Sequence, residues 1–408
     1  MLQTWRHKIR QADTAFTRAV ICSIVIVLVA LGIFMSDLYA PSLPRISQYF
    51  HVSPSWVKMS LSIYLMGLTV PQLFFGPLSD SIGRKKVIMP GLVIALLGSV
   101  CCMRASSITL LNLGRLLQGL GIGAITASAR AVVRDVFETA QLAKVIAIMG
   151  FTIAIAPAIA PLIGATLAQH FGWRSVFVLM TVIIVTCVLV VALLLPESNA
   201  HIDPRSFRLP VVLKNYRRLL RNRTYCTYLL MSACAFSIIM IYFTISPYLF
   251  EHRLHLQPTD YAWVCASMVG VMMVSRLINI RAIKTVAVPR LVALGYTLIL
   301  GGALLLLLIN TCVPLQVWTV VLPMGVILSG ISFIFSNAMT AALSECPDIA
   351  ATGGALYSSI QVWIAACFSF IAAKVSAASV LPLGGLILAL ATLAMVVLFV
   401  RKETTHAS

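Results

Sequence analysis

Runs of about twenty apolar residues recur along the whole of this chain. A helix needs ~20 such residues to cross a bilayer's hydrocarbon core. In lipid, each backbone N–H and C=O must find its partner inside the segment. The runs therefore predict membrane-spanning helices. Twelve are counted, at about 19–40, 57–77, 87–104, 108–133, 144–168, 174–195, 225–250, 260–280, 288–310, 315–342, 350–373 and 379–400. Arg276 interrupts the eighth. Composition agrees: 60% of residues are hydrophobic and 10% charged, with mean hydropathy +0.99, whereas a soluble domain has roughly a quarter of its residues charged. The expected fold class is all-α integral membrane, with twelve transmembrane helices in two six-helix bundles.

The net charge of +18 does not point to nucleic acid, because the basic residues sit in short loops between apolar runs rather than on a polar face. They read as a topology signal. One side holds the N-terminal tail, Arg84-Lys85-Lys86, Arg134, Lys144, the linker, Arg281, Lys284, Arg290 and Arg401-Lys402. The other holds only Arg45, Lys58, Arg104, Arg174, Arg253 and Lys374. The basic side is expected to be cytoplasmic, with both termini inside and anionic lipid as a secondary partner. An even number of spans independently requires termini on one side. The basic start followed by an apolar run resembles a secretory signal, but the run is long and further spans follow, so an uncleaved first helix is expected.

The longest polar stretch, about 196–224, divides the chain. The expected organisation is a cytoplasmic tail at 1–18, a six-helix bundle at 19–195, the basic linker at 196–224, a second bundle at 225–400 and a tail at 401–408. Residues 211–221 read either as a short amphipathic helix on the inner leaflet or as a solvated linker. Asn222-Arg-Thr224 matches a glycosylation sequon, by chance on a cytoplasmic loop. The ten cysteines mostly lie inside apolar runs without metal-ligand spacing, so no metal site or disulfide framework is expected. There is no phosphate-binding loop of the G-x-x-x-x-G-K-[ST] type, and no cofactor is expected.

Asp37 is the one acid placed within a span. An intramembrane carboxyl is costly and usually marks an ion or substrate pathway, and one that is neutral in one state and charged in another can exchange a proton for a cation. The alternative is that Asp37 caps the outer end of the first span. Arg115, the second intramembrane charge, lies about 12 Å inward from the outer end of the fourth span, for which Ser107 is a good N-cap. It shares the outer half of the first bundle with Asp37 and can tune that acid, or alternatively snorkel or satisfy carbonyls. The loop from Gly76 to Lys86 reads as a latch: Gly76 for close approach, Gly83 for a turn, Asp80 accepting amides at a helix N-terminus, and Arg84 pairing with Asp135. An ordinary positively charged turn is the plainer reading. In the fifth span, Pro157 and Pro161 interrupt the helix ladder while Gly150 and Gly164 thin its face, suiting tight packing against the opposite bundle, with plain glycine-assisted packing as the alternative. Tyr39, Tyr64, Gln72, Gln118, Asn337, Tyr357 and Gln361 either line a substrate cavity or bond between helices. Arg276 has no evident acidic partner.

These stretches resemble the major facilitator superfamily. Residues 76–86 look like its signature loop, with Ser81 where arginine is usual. Leu113 through Ala124 look like the fourth-span R-x-x-Q-G-x-G pattern. Gly150 to Gly164 look like the antiporter helix, with Ala156-Pro157 replacing the usual G-P pair. Asp37 to Pro44 and Ala129 to Asp135 resemble the bicyclomycin- and chloramphenicol-resistance type of drug:proton antiporter. The resemblance implies a role for Arg115 in proton transfer and a sealing role for the fifth helix.

The leading expectation is therefore a monomeric multidrug exporter in the bacterial inner membrane, moving small amphipathic or cationic compounds against protons by alternating access. The alternatives are a dedicated exporter of one metabolite, such as a siderophore or sugar-like compound, and a receptor or scaffold that transports nothing. No catalytic pattern lies within the spans, so an enzyme is not expected.

Overall fold

The computed structural model describes residues 15–137, 139–199, 202, 209–375 and 379–406. Most of the N-terminal tail and residues 203–208 of the linker, with their basic side chains, lie outside them. Among the described residues, twelve helices are long and apolar enough to cross a membrane. They are α1 (Ala15–Asp37), α2 (Pro54–Ile82), α3 (Arg84–Met103), α4 (Ile108–Val136), α5 (Thr139–Phe171), α6 (Arg174–Leu194), α7 (Arg223–Tyr248), α8 (Pro258–Ala282), α9 (Val288–Cys312), α10 (Val317–Ser344), α11 (Ala350–Lys374) and α12 (Leu381–His406). All twelve runs read from the sequence are present, and Arg276 does not break α8.

Local signals set several ends. Ser107 caps α4, its side chain accepting from the Leu110 amide at 3.2 Å. Asn222, noted above only for a sequon, accepts from the Tyr225 amide at 2.9 Å and starts α7. Two helices outrun their expected limits. After α1 the chain makes a 3-10 turn at Ala40–Ser42 and a short helix at Leu43–Phe50, so the first crossing extends to Phe50. After α7 a π-turn over Leu249–Arg253 prolongs the seventh.

The buried apolar residues form two clusters. One is built almost wholly from residues 21–195 and the other from 212–394, as two six-helix bundles require. Helix backbones approach closely inside each bundle, because lipid gives little hydrophobic drive between helices and small residues let packing supply it. A side chain on Gly121 of α4 would run into the backbone of Gly91 and Ala95 on α3. A side chain on Gly330 of α10 would meet Gly295 on α9 in the same way. The third and fourth helices of each half thus cross at a glycine pair, a repeat that sequence identity does not reveal. Between bundles, α2 packs on α11 and α5 on α8, again in matched positions.

Residues 211–221 lie in a linker helix, Leu209–Arg221. Val212, Tyr216 and Leu219 are buried with the second bundle, while Val211, Leu213 and Leu220 face outward among Lys214, Arg217 and Arg221. The Tyr216 hydroxyl donates to the Leu73 carbonyl of α2 at 2.7 Å, tying the linker to the first bundle. Burial pushes this phenol up to about 12, so it stays a donor at any physiological pH.

Candidate functional site

A cavity of about 380 Å³ lies between the bundles, within the range of drug-sized sites. The first bundle contributes Gly32, Asp37, Gln72, Thr126, Arg130 and Pro157, the second Phe236, Met240, Tyr242, Phe243, Arg276 and Gln361. Most of the lining is apolar, rich in methionine and phenylalanine, which accommodate varied shapes.

The cavity is shut at the end away from the 83–86 loop. There Lys58, 1% exposed, donates to the Val375 carbonyl at 3.2 Å and lies 5.1 Å from the Tyr248 ring centre. The Tyr248 hydroxyl donates to the Leu43 carbonyl at 3.0 Å, and Ser62 bonds Ser369 at 3.0 Å. Each bond joins one bundle to the other. Toward the basic end, Arg130 is exposed although it lines the cavity.

Asp37 sits where α1 ends, 7% exposed, on the cavity wall. Because the crossing continues to Phe50, this acid lies inside the bundle rather than at an interface. Among the described residues it makes no ion pair. It caps nothing there, so the capping alternative has no support in this structure.

Arg115 is fully buried and does not pair with Asp37 in this conformation. It donates to the Met35 carbonyl at 3.2 Å, two residues before the acid, and to Gln118 Oε1 at 2.9 Å. Its guanidinium lies 4.6 Å from the Tyr39 ring centre and 4.3 Å from that of Tyr64. Its Nε and Nη2 have no hydrogen-bond partner among the described residues; the two π faces offset part of that loss.

Of the seven expected cavity residues, Gln72 and Gln361 line it; the other five do not. Tyr39 bonds Ser60 at 2.9 Å and Tyr64 donates to the Gly32 carbonyl at 2.7 Å. Gln118 donates to Ser99, Asn337 to Asn279, and Tyr357 to the Tyr228 carbonyl. These buried polar groups are consumed within their own bundles, as unpaired ones in lipid would be costly.

The latch residues meet, with one exchange of roles. Arg84 pairs with Asp135 at 2.8 Å and with Asp80, and donates to Ser79 at 2.6 Å. The amides at the start of α3 are taken by Glu197 rather than Asp80: Arg84 N donates to it at 2.7 Å and Lys85 N at 3.1 Å. Glu197 follows α6 in what reads as the linker, so its return to this corner is not visible in sequence. Gly83 has φ +107°, and a side chain there would strike the Glu197 carboxylate; only glycine meets both demands. Gly76 makes no close approach: a methyl group placed on it would meet nothing within 4 Å. All these ion-pair partners belong to the first half of the chain.

In α5 the expected tight face is split. Gly164 packs against the backbone of Leu38 in its own bundle, not the opposite one, and Gly150 faces open space. Pro157 lines the cavity, and α5 runs unbroken through Pro157 and Pro161. Contact with the other bundle is made through α8. Three further ionisable residues lie within the crossings, of which only Arg276 stands out in the sequence, as an interruption. Glu251 enters the seventh crossing through its π-turn, and Arg130 and Arg276 face the cavity.

Two helical bundles around one central cavity are the architecture of a membrane transporter. The chain belongs to the major facilitator superfamily: the family model described as Major Facilitator Superfamily matches residues 22–370. A bicyclomycin resistance protein homolog of Haemophilus influenzae is 24% identical over 351 residues, covering 86% of this chain and 88% of its own length. The multidrug resistance protein MdtL of Escherichia fergusonii is 31% identical over 258 residues, 63% of this chain; the match spans 64% of MdtL. Among solved structures, a POT family transporter in complex with 5-aminolevulinic acid superposes with TM-score 0.74 at 10% identity, covering 94% of this chain and 95% of its own. A bacterial homolog of the human lysosomal transporter Spinster, inward-facing and occupied, gives 0.72 at 13% identity, covering 96% and 98%. At such identities the structures share the fold.

Proposed function

We propose that this chain is a proton-driven antiporter that exports small amphipathic compounds, cationic ones among them, across the bacterial inner membrane, with both termini cytoplasmic. The observation that carries this reading is Asp37, a carboxyl without an ion-pair partner among the described residues, on the wall of a cavity enclosed by the two bundles. Protonated, it suits the apolar cavity; ionised, it needs a partner or water. Arg115 already grips the same helix at Met35 and keeps two donor nitrogens, Nε and Nη2, unspent. A shift of α1 against α4 within the first bundle, coupled to the rocking, brings that charge into reach of Asp37 and releases the proton, or withdraws it and restores uptake. The names of the bicyclomycin- and multidrug-resistance relatives support drug efflux as the task.

In an efflux-deficient bacterium, expression is expected to lower accumulation of a fluorescent amphipath at least several-fold. A protonophore is expected to erase the difference. Accumulation unchanged by expression, or lowered equally with the proton gradient collapsed, contradicts the reading.

A further inference from the structure

Two cations on the cavity wall take no part in the proton step. Arg130 belongs to α4 of the first bundle and Arg276 to α8 of the second, and both line the cavity. At 1.5 Å per residue each lies roughly 9 Å in from the basic end of its helix, and each reaches the shared cavity from its own bundle. Neither forms an ion pair among the described residues. Near that end Asp135 pairs with Arg84 and Asp348 with Arg218, while Glu345, exposed just past the end of α10, pairs with neither cavity arginine. Asp37 is the one acid in the lining, and it lies far off: Arg115, which holds Met35, is roughly 22 Å along α4 from Arg130.

An arginine at membrane depth is costly and persists where it pairs, reaches water or marks a pathway. Snorkelling accounts for a single arginine near a helix end. Arg130 is exposed and Arg276 half-buried, so water reaches both; what sets the two apart is that they face the same apolar cavity from opposite bundles, beside Phe335 and Met272. We propose that Arg130 and Arg276 together bind an anionic group, and that the guests of this exporter include amphipathic organic acids, such as aromatic carboxylates or sulfonates. This deepens the efflux reading and rests on it. The guanidinium forks match a carboxylate or sulfonate bidentately, while the apolar body packs against the phenylalanine and methionine lining. Without an anion the two charges repel and oppose approach of the bundles at their basic ends. An anion between them reverses that sign, so cargo itself favours the closure that precedes release on the far side.

The test uses the full chain in phosphatidylcholine nanodiscs and a fluorescent aromatic carboxylic acid with its methyl ester. The acid is expected to bind about tenfold more tightly than the ester. R130Q and R276Q are each expected to remove most of that preference, with a monodisperse size-exclusion peak as the control for folding; R130K is expected to retain part of it. Equal affinity for acid and ester, or equal loss of both in the glutamine variants, overturns the proposal. Adding anionic lipid separates a soluble acid from a headgroup: acid affinity is expected to hold, and loss of the preference assigns the pair to lipid and also overturns it. The two readings fail separately. Proton-driven movement of the ester with no preference for the acid sinks the anion pair alone. Acid binding through both arginines without any proton-driven movement sinks the efflux reading alone.

Discussion

Arg115 shows how a single residue can be poor for stability and still be kept. A buried N–H without a partner costs about 1–3 kcal/mol, and this guanidinium leaves Nε and Nη2 unpaired between two tyrosine rings. Replacing it by methionine removes that burden at similar volume, so Arg115→Met is expected to leave the thermal unfolding midpoint unchanged or raise it. Proton-driven transport by the same variant is expected to fall below detection. A lowered midpoint in a detergent thermal-shift assay, with transport retained, shows the arginine to be structural. The Gly83 corner makes the opposite case. There Gly83→Ala combines a positive φ with a clash against Glu197, and a loss of about 1–3 kcal/mol in stability is expected, read as a lower unfolding midpoint.

At the level of the helix, glycines divide by what they touch. Gly119 on α4 meets the backbone of Tyr64 and Leu68 on α2, while Gly150 on α5 has nothing near it. Gly119→Leu is therefore expected to abolish a monodisperse peak in fluorescence size-exclusion chromatography, and Gly150→Leu to preserve it; the reverse pattern contradicts the packing described. Sequence alone shows that both glycines sit on helices, because apolar runs in lipid leave the backbone little choice. It cannot show which face of such a helix meets the cavity. In α8, apolar residues surround the whole circumference, and no polar stripe marks Met272 or Arg276 as inward-facing. The same blindness makes Tyr39, Tyr64, Gln118, Asn337 and Tyr357 read as cavity residues when they serve helix contacts. Glu251 escapes a sequence reading because the π-turn after Tyr248 lengthens the crossing, and Glu197 because its partner loop is distant along the chain. Asp37 is legible, since an acid inside a continuous apolar run stands out without any knowledge of packing.

At the scale of the molecule, the proposed alternating access makes the closure at the Lys58 end one of at least two states of a rocking cycle. Ser62 and Ser369, with hydroxyl oxygens 3.0 Å apart across the bundles, offer a way to hold that state. S62C with S369C, in a background lacking the ten native cysteines, is expected to cross-link on mild oxidation and to lose transport until reduced. Full transport after complete cross-linking shows that the bundles need not part there. Asp37 is the proposed proton carrier of this cycle, and the most direct test of that role is substrate movement in proteoliposomes carrying either wild-type protein or Asp37→Asn. Both proteins are expected to exchange labelled substrate at equal pH, while only the wild type accumulates it against its gradient when a pH difference is imposed. Accumulation by Asp37→Asn at the wild-type level under that pH difference contradicts the account.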